Sequence, residues 1–135
     1  MKQLFEEIVR KSVEGDAWHG PSVRESIEGL SSASADHRPN PESHTIHELV
    51  LHIAAWMDEA AERLHGRLHD LPLPGNFPEP ADWEHSQQVL RVSLDKLLAA
   101  IHEAYDETHF ELLAGVAQHN AYHAGQIVTL RKFSA

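Results

Sequence analysis

Two histidines near the end of the chain have the types and spacing to do chemistry. They fall in an apolar seam of a predicted helix, in steps of four and three: Leu112, Val116, His119, His123, Gln126 and Leu130. Residues four apart lie on one helical face, so the two rings can direct nitrogens at one ion. Two hydrogen-bonded core histidines would also explain the spacing, although each buried ring nitrogen then needs its own partner. The spacing alone leaves both readings open.

A third ligand is expected from a neighbouring helix. His52 lies three residues after Leu49 and four before Trp56, which places it on the apolar face of the second long predicted helix. A single histidine there would be an ordinary helix-flank residue without the other pair. With that pair present, its place on the apolar face makes His52 the candidate third ligand.

The remaining histidines, of 12 in the chain, carry weaker predictions. His47 is expected to be solvated or packed at a helix start, and Trp18 could anchor His19 near the core. His65 and His69 are typical of a polar helix end. Five others show no partner pattern and are expected on the surface: His37, His44, His85, His102 and His109.

The elements that must position these residues are helical. Apolar residues at spacings of three and four predict helices over 2–14, 23–30, 46–68, 83–105 and 110–133. Three Ser/Thr-x-x-Glu capping boxes favour helix starts, at Ser22–Glu25, Thr45–Glu48 and Thr108–Glu111. Glu48 could instead accept a hydrogen bond from the His52 ring, but we prefer its capping role. No segment alternates like a half-buried strand.

The connections shape the predicted architecture. The Ser-, Pro- and Asn-rich segment 31–43 predicts a crossing loop, and the four prolines of 71–80 predict an extended one. Four long helices in 135 residues indicate a single domain, 1–135, that is an all-α four-helix bundle with a long crossover connection after the first helix.

Composition excludes several function classes. With 11 Lys and Arg against 21 Asp and Glu, the formal charge is -10, which argues against nucleic acid and anionic membrane as partners. The chain has no cysteine, so disulfides, thiolate-bound zinc and a cysteine nucleophile are ruled out. No apolar run approaches a membrane span and no signal peptide is evident, so we expect a cytoplasmic protein.

Two motifs resemble the DinB/YfiT-like family. They are HELVLHIAAW at 47–56 and GVAQHNAYHAGQIVTLRK at 115–132, and WHGPS at 18–22 with GNFPEPADW at 75–83 fits one branch. The resemblance implies a four-helix bundle with a crossover and a divalent transition metal held by His52, His119 and His123. The sequence departs from the family pattern at His47, because close relatives often carry an aromatic residue at this position. Some members transfer low-molecular-weight thiols such as bacillithiol, mycothiol or glutathione, and others have been proposed as metal-dependent hydrolases.

Three imidazoles would leave a coordination position open for water or for a thiolate. Imidazole ligands suit zinc or nickel, and iron or another metal also fits. Because the chain has no cysteine, a thiol nucleophile would arrive as a small-molecule cosubstrate, with no protein nucleophile. Three hypotheses remain: a thiol transferase, a hydrolase that uses metal-bound water, and a non-catalytic metal- or ligand-binding bundle. We further expect a homodimer, and a cleft bounded by the crossing loop and the WHGP turn.

Overall fold

The computed structural model describes residues 1–134, and they form an all-α fold. A 3₁₀ turn, Glu107–His109, precedes the last helix. The α-helices are α1 (Lys2–Glu14), α2 (Val23–Ile27), α3 (Ser32–Ala35), α4 (Ile46–Leu64), α5 (Trp83–Ala104) and α6 (Phe110–Arg131). The predicted helices are confirmed to within a few residues. α4 ends four residues early because Gly66 adopts a left-handed φ of 80°.

The four long helices pack as a bundle around one apolar core, as predicted. α4 packs against α5 and α6, and α1 packs against the same two helices from the opposite side. His47 at the start of α4 contacts Ser86 at the start of α5, so these two neighbours run in the same direction. α6 runs against α4, since His52 meets His123 whereas residues near the end of α4 face the start of α6.

Two long connections follow from these directions. Segment 15–45 connects α1 with the diagonally opposite, antiparallel α4 across one end of the bundle, where the sequence predicted a crossing loop. Segment 65–82 joins the parallel α4 and α5 and therefore returns along the bundle, a path that the sequence did not indicate. Within it, Asn76 and Phe77 lie against α4 at His52.

Two of the three predicted capping boxes are present. Ser22 with Glu25 and Thr45 with Glu48 exchange both hydrogen bonds, which confirms the capping role of Glu48. The third prediction was wrong: Thr108 lies inside the 3₁₀ turn, where its N–H donates to Asp106 Oδ1 at 2.8 Å. An aspartate two residues earlier offers a stronger cap than the threonine, so the turn starts there.

The seam predicted for α6 coincides only in part with the core face. The buried side chains of α6 are Leu113, Val116, Asn120, His123, Ala124 and Ile127. Leu112, His119 and Gln126 are only half-buried and lie beside that face. The histidine pair therefore lines the edge of the core, where a pocket can reach it. In residues 1–134, no helix has the length and apolar character needed to cross a bilayer.

Candidate metal centre

The structure brings His52, His119 and His123 together, although they come from two helices and are up to 71 residues apart. Their Nε2 atoms form a near-equilateral triangle with sides of 3.0 to 3.1 Å. His52 and His123 are buried, and His119 is half-buried. They are the three histidines that the sequence put forward as ligands.

The outer nitrogens of two rings are already bonded. His52 Nδ1 donates to the Asn76 carbonyl oxygen at 2.6 Å, and His123 Nδ1 donates to Gln126 Oε1 at 2.6 Å. A neutral imidazole carries one proton, so both Nε2 atoms present bare lone pairs. The single proton of His119 can satisfy only one of them. Hydrogen bonding thus leaves the triangle incomplete, whereas one cation would accept a lone pair from each ring.

The protonation state suits ligands. Burial and the neighbouring charges of His123 and His52 lower the pKa of His119 from 6.5 to about 4. Burial is also the main cause that lowers the pKa of His52 and of His123. All three rings are therefore neutral near pH 7, the form that binds metals.

The triangle has the size that a metal requires. Nitrogens bound to a tetrahedral ion at ~2.0–2.1 Å lie about 3.3 Å from one another. The observed separations of 3.0 to 3.1 Å fall just inside that value, so a small movement of the rings admits the ion. The donor set is three neutral imidazoles, which suits zinc, nickel, copper or iron.

Segment 65–82 holds His52 in place. Phe77 stacks between His44 and His52, with ring centroids 3.8 and 4.2 Å away and planes within 8°. Asn76 ties the segment to α4 a second time, since its Oδ1 accepts from Trp56 Nε1 at 2.8 Å. This outer shell fixes the ring orientation of His52, a role that second-sphere groups play at metal sites.

A pocket of about 440 Å³ opens beside the triangle and is called here the α4–α6 pocket. Its lining includes His52 and His119. Apolar side chains form much of the wall: Trp56, Met57, Ala60, Leu112 and Val116. In residues 1–134, no fourth histidine or carboxylate joins the triangle. An ion held by the three rings would therefore have a fourth coordination position without a protein ligand, as in open catalytic sites.

His47 is fully buried and serves a different purpose. Its Nδ1 donates to Asp36 Oδ1 and its Nε2 accepts from Ser86 Oγ, both at 2.7 Å. The prediction that it packs at the helix start is confirmed, and the solvated alternative is wrong. The hydrogen bonds tie the crossing segment and α5 to α4.

Other predictions around the site need correction. The cleft is bounded by α4, α6 and Asn76, and not by the WHGP turn, because segment 15–45 supplies none of its lining. Trp18 is fully exposed and His19 is exposed with it, so this turn does not enter the core. His44 was expected to be an isolated surface residue, yet its ring covers Phe77.

A sequence model of the DinB superfamily matches residues 18–127, a span that contains all three candidate ligands. The chain belongs to the DinB superfamily. No curated protein and no solved structure matches it. Membership and the three-histidine cluster together fit a metal-binding protein of this superfamily.

The sequence reasoning missed several residues of the DinB site. Asn76 and Phe77 lie in a loop whose path no helical period predicts. Glu59 and Arg63 were not singled out as candidate site residues, although both line the pocket. Their spacing of seven and eleven residues from His52, close to whole helical turns, was the signal that could have revealed them.

Proposed function

We propose that this DinB protein is an enzyme that uses one divalent transition metal, held by His52, His119 and His123, to transfer a low-molecular-weight thiol to an electrophilic small molecule. The observation that carries the proposal is the triangle of Nε2 atoms with an apolar pocket on its open side. Zinc and nickel are the first candidates for the ion.

Each part of the chain has a task in this reaction. The three histidines hold the ion, and a bound ion supplies a low pKa for a thiol or water that reaches it. The apolar wall of the α4–α6 pocket excludes water from the reacting groups. With an aryl chloride as electrophile, the sulfur–carbon bond forms, chloride leaves with the carbon–chlorine electron pair, and the thiol proton passes to solvent. The chain itself has no cysteine, so the thiol is a substrate.

The test is conjugation of glutathione, bacillithiol or mycothiol to a chloronitroarene by metal-loaded and metal-free protein. We expect a rate above the buffer rate that requires metal, is lost in His123→Ala and persists in His37→Ala, which changes an exposed histidine. No thiol-dependent rate together with metal-dependent ester or amide cleavage would replace the transferase with a hydrolase. Metal binding without either reaction would leave a non-catalytic binding protein.

A further inference from the structure

The α4–α6 pocket contains one strong cation among its described lining residues. Arg63 is its only lysine or arginine, whereas Glu59 and Glu111 are acidic. The whole chain carries a formal charge of -10, so an anionic substrate would be repelled at long range. Any anion that enters this pocket therefore needs a local partner, and Arg63 is the available one.

Arg63 is held in a fixed position. Its Nε donates to Glu59 Oε2 at 2.8 Å and its Nη2 donates to the His69 carbonyl oxygen at 3.0 Å. Its guanidinium carbon lies 5.8 Å from the ring centroid of Trp56. A side chain that is already ordered loses little conformational entropy when it binds a ligand.

Glu59, which pairs with Arg63, is itself held by a second hydrogen bond. Its side chain is 1% exposed, and its other oxygen accepts from His69 Nδ1 at 2.8 Å. Burial raises the pKa of Glu59, but the hydrogen bonds from Arg63 and His69 outweigh it, so the pKa lies below its usual range. The carboxylate thus stays ionised and keeps the guanidinium oriented.

The guanidinium of Arg63, which is part of the pocket lining, retains donors that no described residue uses. Nη1 makes no hydrogen bond within residues 1–134, and the side chain is 30% exposed. A planar guanidinium with unused N–H groups matches a carboxylate better than any other side chain does.

The distance from this anchor to the metal centre suits a small molecule. The Trp56 ring lies 6.3 Å from the His119 ring and 5.8 Å from the Arg63 guanidinium carbon, so the guanidinium is within about 12 Å of His119. Trp56 and other apolar side chains line the same pocket as His119 and Arg63. The pocket therefore offers metal ligands, an apolar wall and a fixed guanidinium.

We propose that Arg63 anchors a carboxylate of the substrate, which makes the substrate class a small molecule with an apolar body, a carboxylate at one end and the reacting thiol at the other. Arg63 is therefore a specificity-determining residue. Binding of the thiol end at the histidines rests on the proposed function, whereas binding of the carboxylate at Arg63 does not.

The test compares ω-mercaptoalkanoates with ω-mercaptoalkanols of equal length, titrated calorimetrically into the cobalt-loaded full chain. We expect the acid to bind about tenfold or more tightly than the alcohol at the best chain length. The ratio should fall to about one in Arg63→Gln. Arg67→Gln should keep it, because Arg67 pairs with Glu62 at the same helix end but outside the pocket. Equal affinities in wild type, or a preference that survives Arg63→Gln, would overturn the proposal.

Folding and the proposed function are controlled separately. Because Arg63→Gln leaves Glu59 buried without its partner, the double variant Glu59→Gln/Arg63→Gln removes both charges and should show the same loss of preference. Hexanoate and hexanol, titrated into metal-free protein, test Arg63 without metal or thiol, and the acid preference should persist. Failure of thiols to change the cobalt absorption spectrum would count against the proposed function, whereas a persistent acid preference would still support Arg63.

Discussion

His47 and His52 lie five residues apart on α4, and both are buried, yet their ring nitrogens are used in opposite ways. Asp36 and Ser86 satisfy both nitrogens of His47. At His52 only the outer nitrogen has a protein partner that suits it, and the inner one meets two other Nε2 atoms. The contrast separates a histidine whose ring nitrogens are both satisfied within the fold from one whose inner nitrogen has no suitable protein partner.

The Ser86–His47–Asp36 chain has the hydrogen-bond order of a Ser–His–Asp triad, but its serine and histidine are buried. His47 has no exposed surface and Ser86 is 3% exposed. A nucleophile must reach its substrate, so geometry alone does not make this chain catalytic. It cross-links three segments, whereas the three-histidine cluster faces a pocket.

The largest effect should come from adding metal. With free zinc roughly 1,000-fold above its Kd, binding adds about 4 kcal/mol to the free energy of unfolding. Wild type should gain this increment in thermal or urea unfolding, and His123→Ala should gain far less. The same increment in both proteins would mean that zinc binds elsewhere.

The next effect concerns His47. His47→Ala leaves Ser86 without a partner and opens a cavity, so we expect a loss of about 2–4 kcal/mol in urea unfolding of the metal-free protein. Changing the exposed His37 to Ala should cost less than about 0.5 kcal/mol. The zinc increment of His47→Ala should match that of wild type. Loss of that increment would show that the two regions are not independent.

A smaller effect is expected from pH. The pKa of His119 is about 4 in the folded chain against 6.5 when unperturbed, so the unfolded chain takes up the proton first on acidification. The metal-free protein should therefore have its full stability above pH 6.5 and lose part of it as the pH falls toward 4. Urea unfolding across this range checks it, and His119→Met should flatten the slope. A wild-type slope no steeper than that of His119→Met would contradict it.

The smallest effect should come from replacing a cluster residue. His119→Met replaces a half-buried ring whose single proton satisfies only one of the two neighbouring Nε2 atoms, so the metal-free protein should change by less than about 1 kcal/mol. The contrast with His47→Ala is the point of the experiment. A loss as large as that of His47→Ala would mean that the cluster stabilises the fold without metal.

How far the sequence predicts this molecule depends on the range of each signal. The pair His119–His123 was visible because i,i+4 spacing is local, and His52 followed from a second helical stripe. The shift of the α6 core face was not visible, since Leu113 and Leu112 are equally apolar and only packing decides which one is buried. The contacts of Asn76 and Phe77 depend on the path of a loop, which no periodicity encodes.

The central claim is that one metal sits among His52, His119 and His123. Anomalous X-ray diffraction from crystals grown with zinc, and separately with nickel, tests it most directly. The account predicts one strong peak per chain, equally distant from the three Nε2 atoms, that disappears in His123→Ala and remains in His47→Ala. No peak at the triangle, or a peak only at other histidines such as His47 or His69, would contradict it.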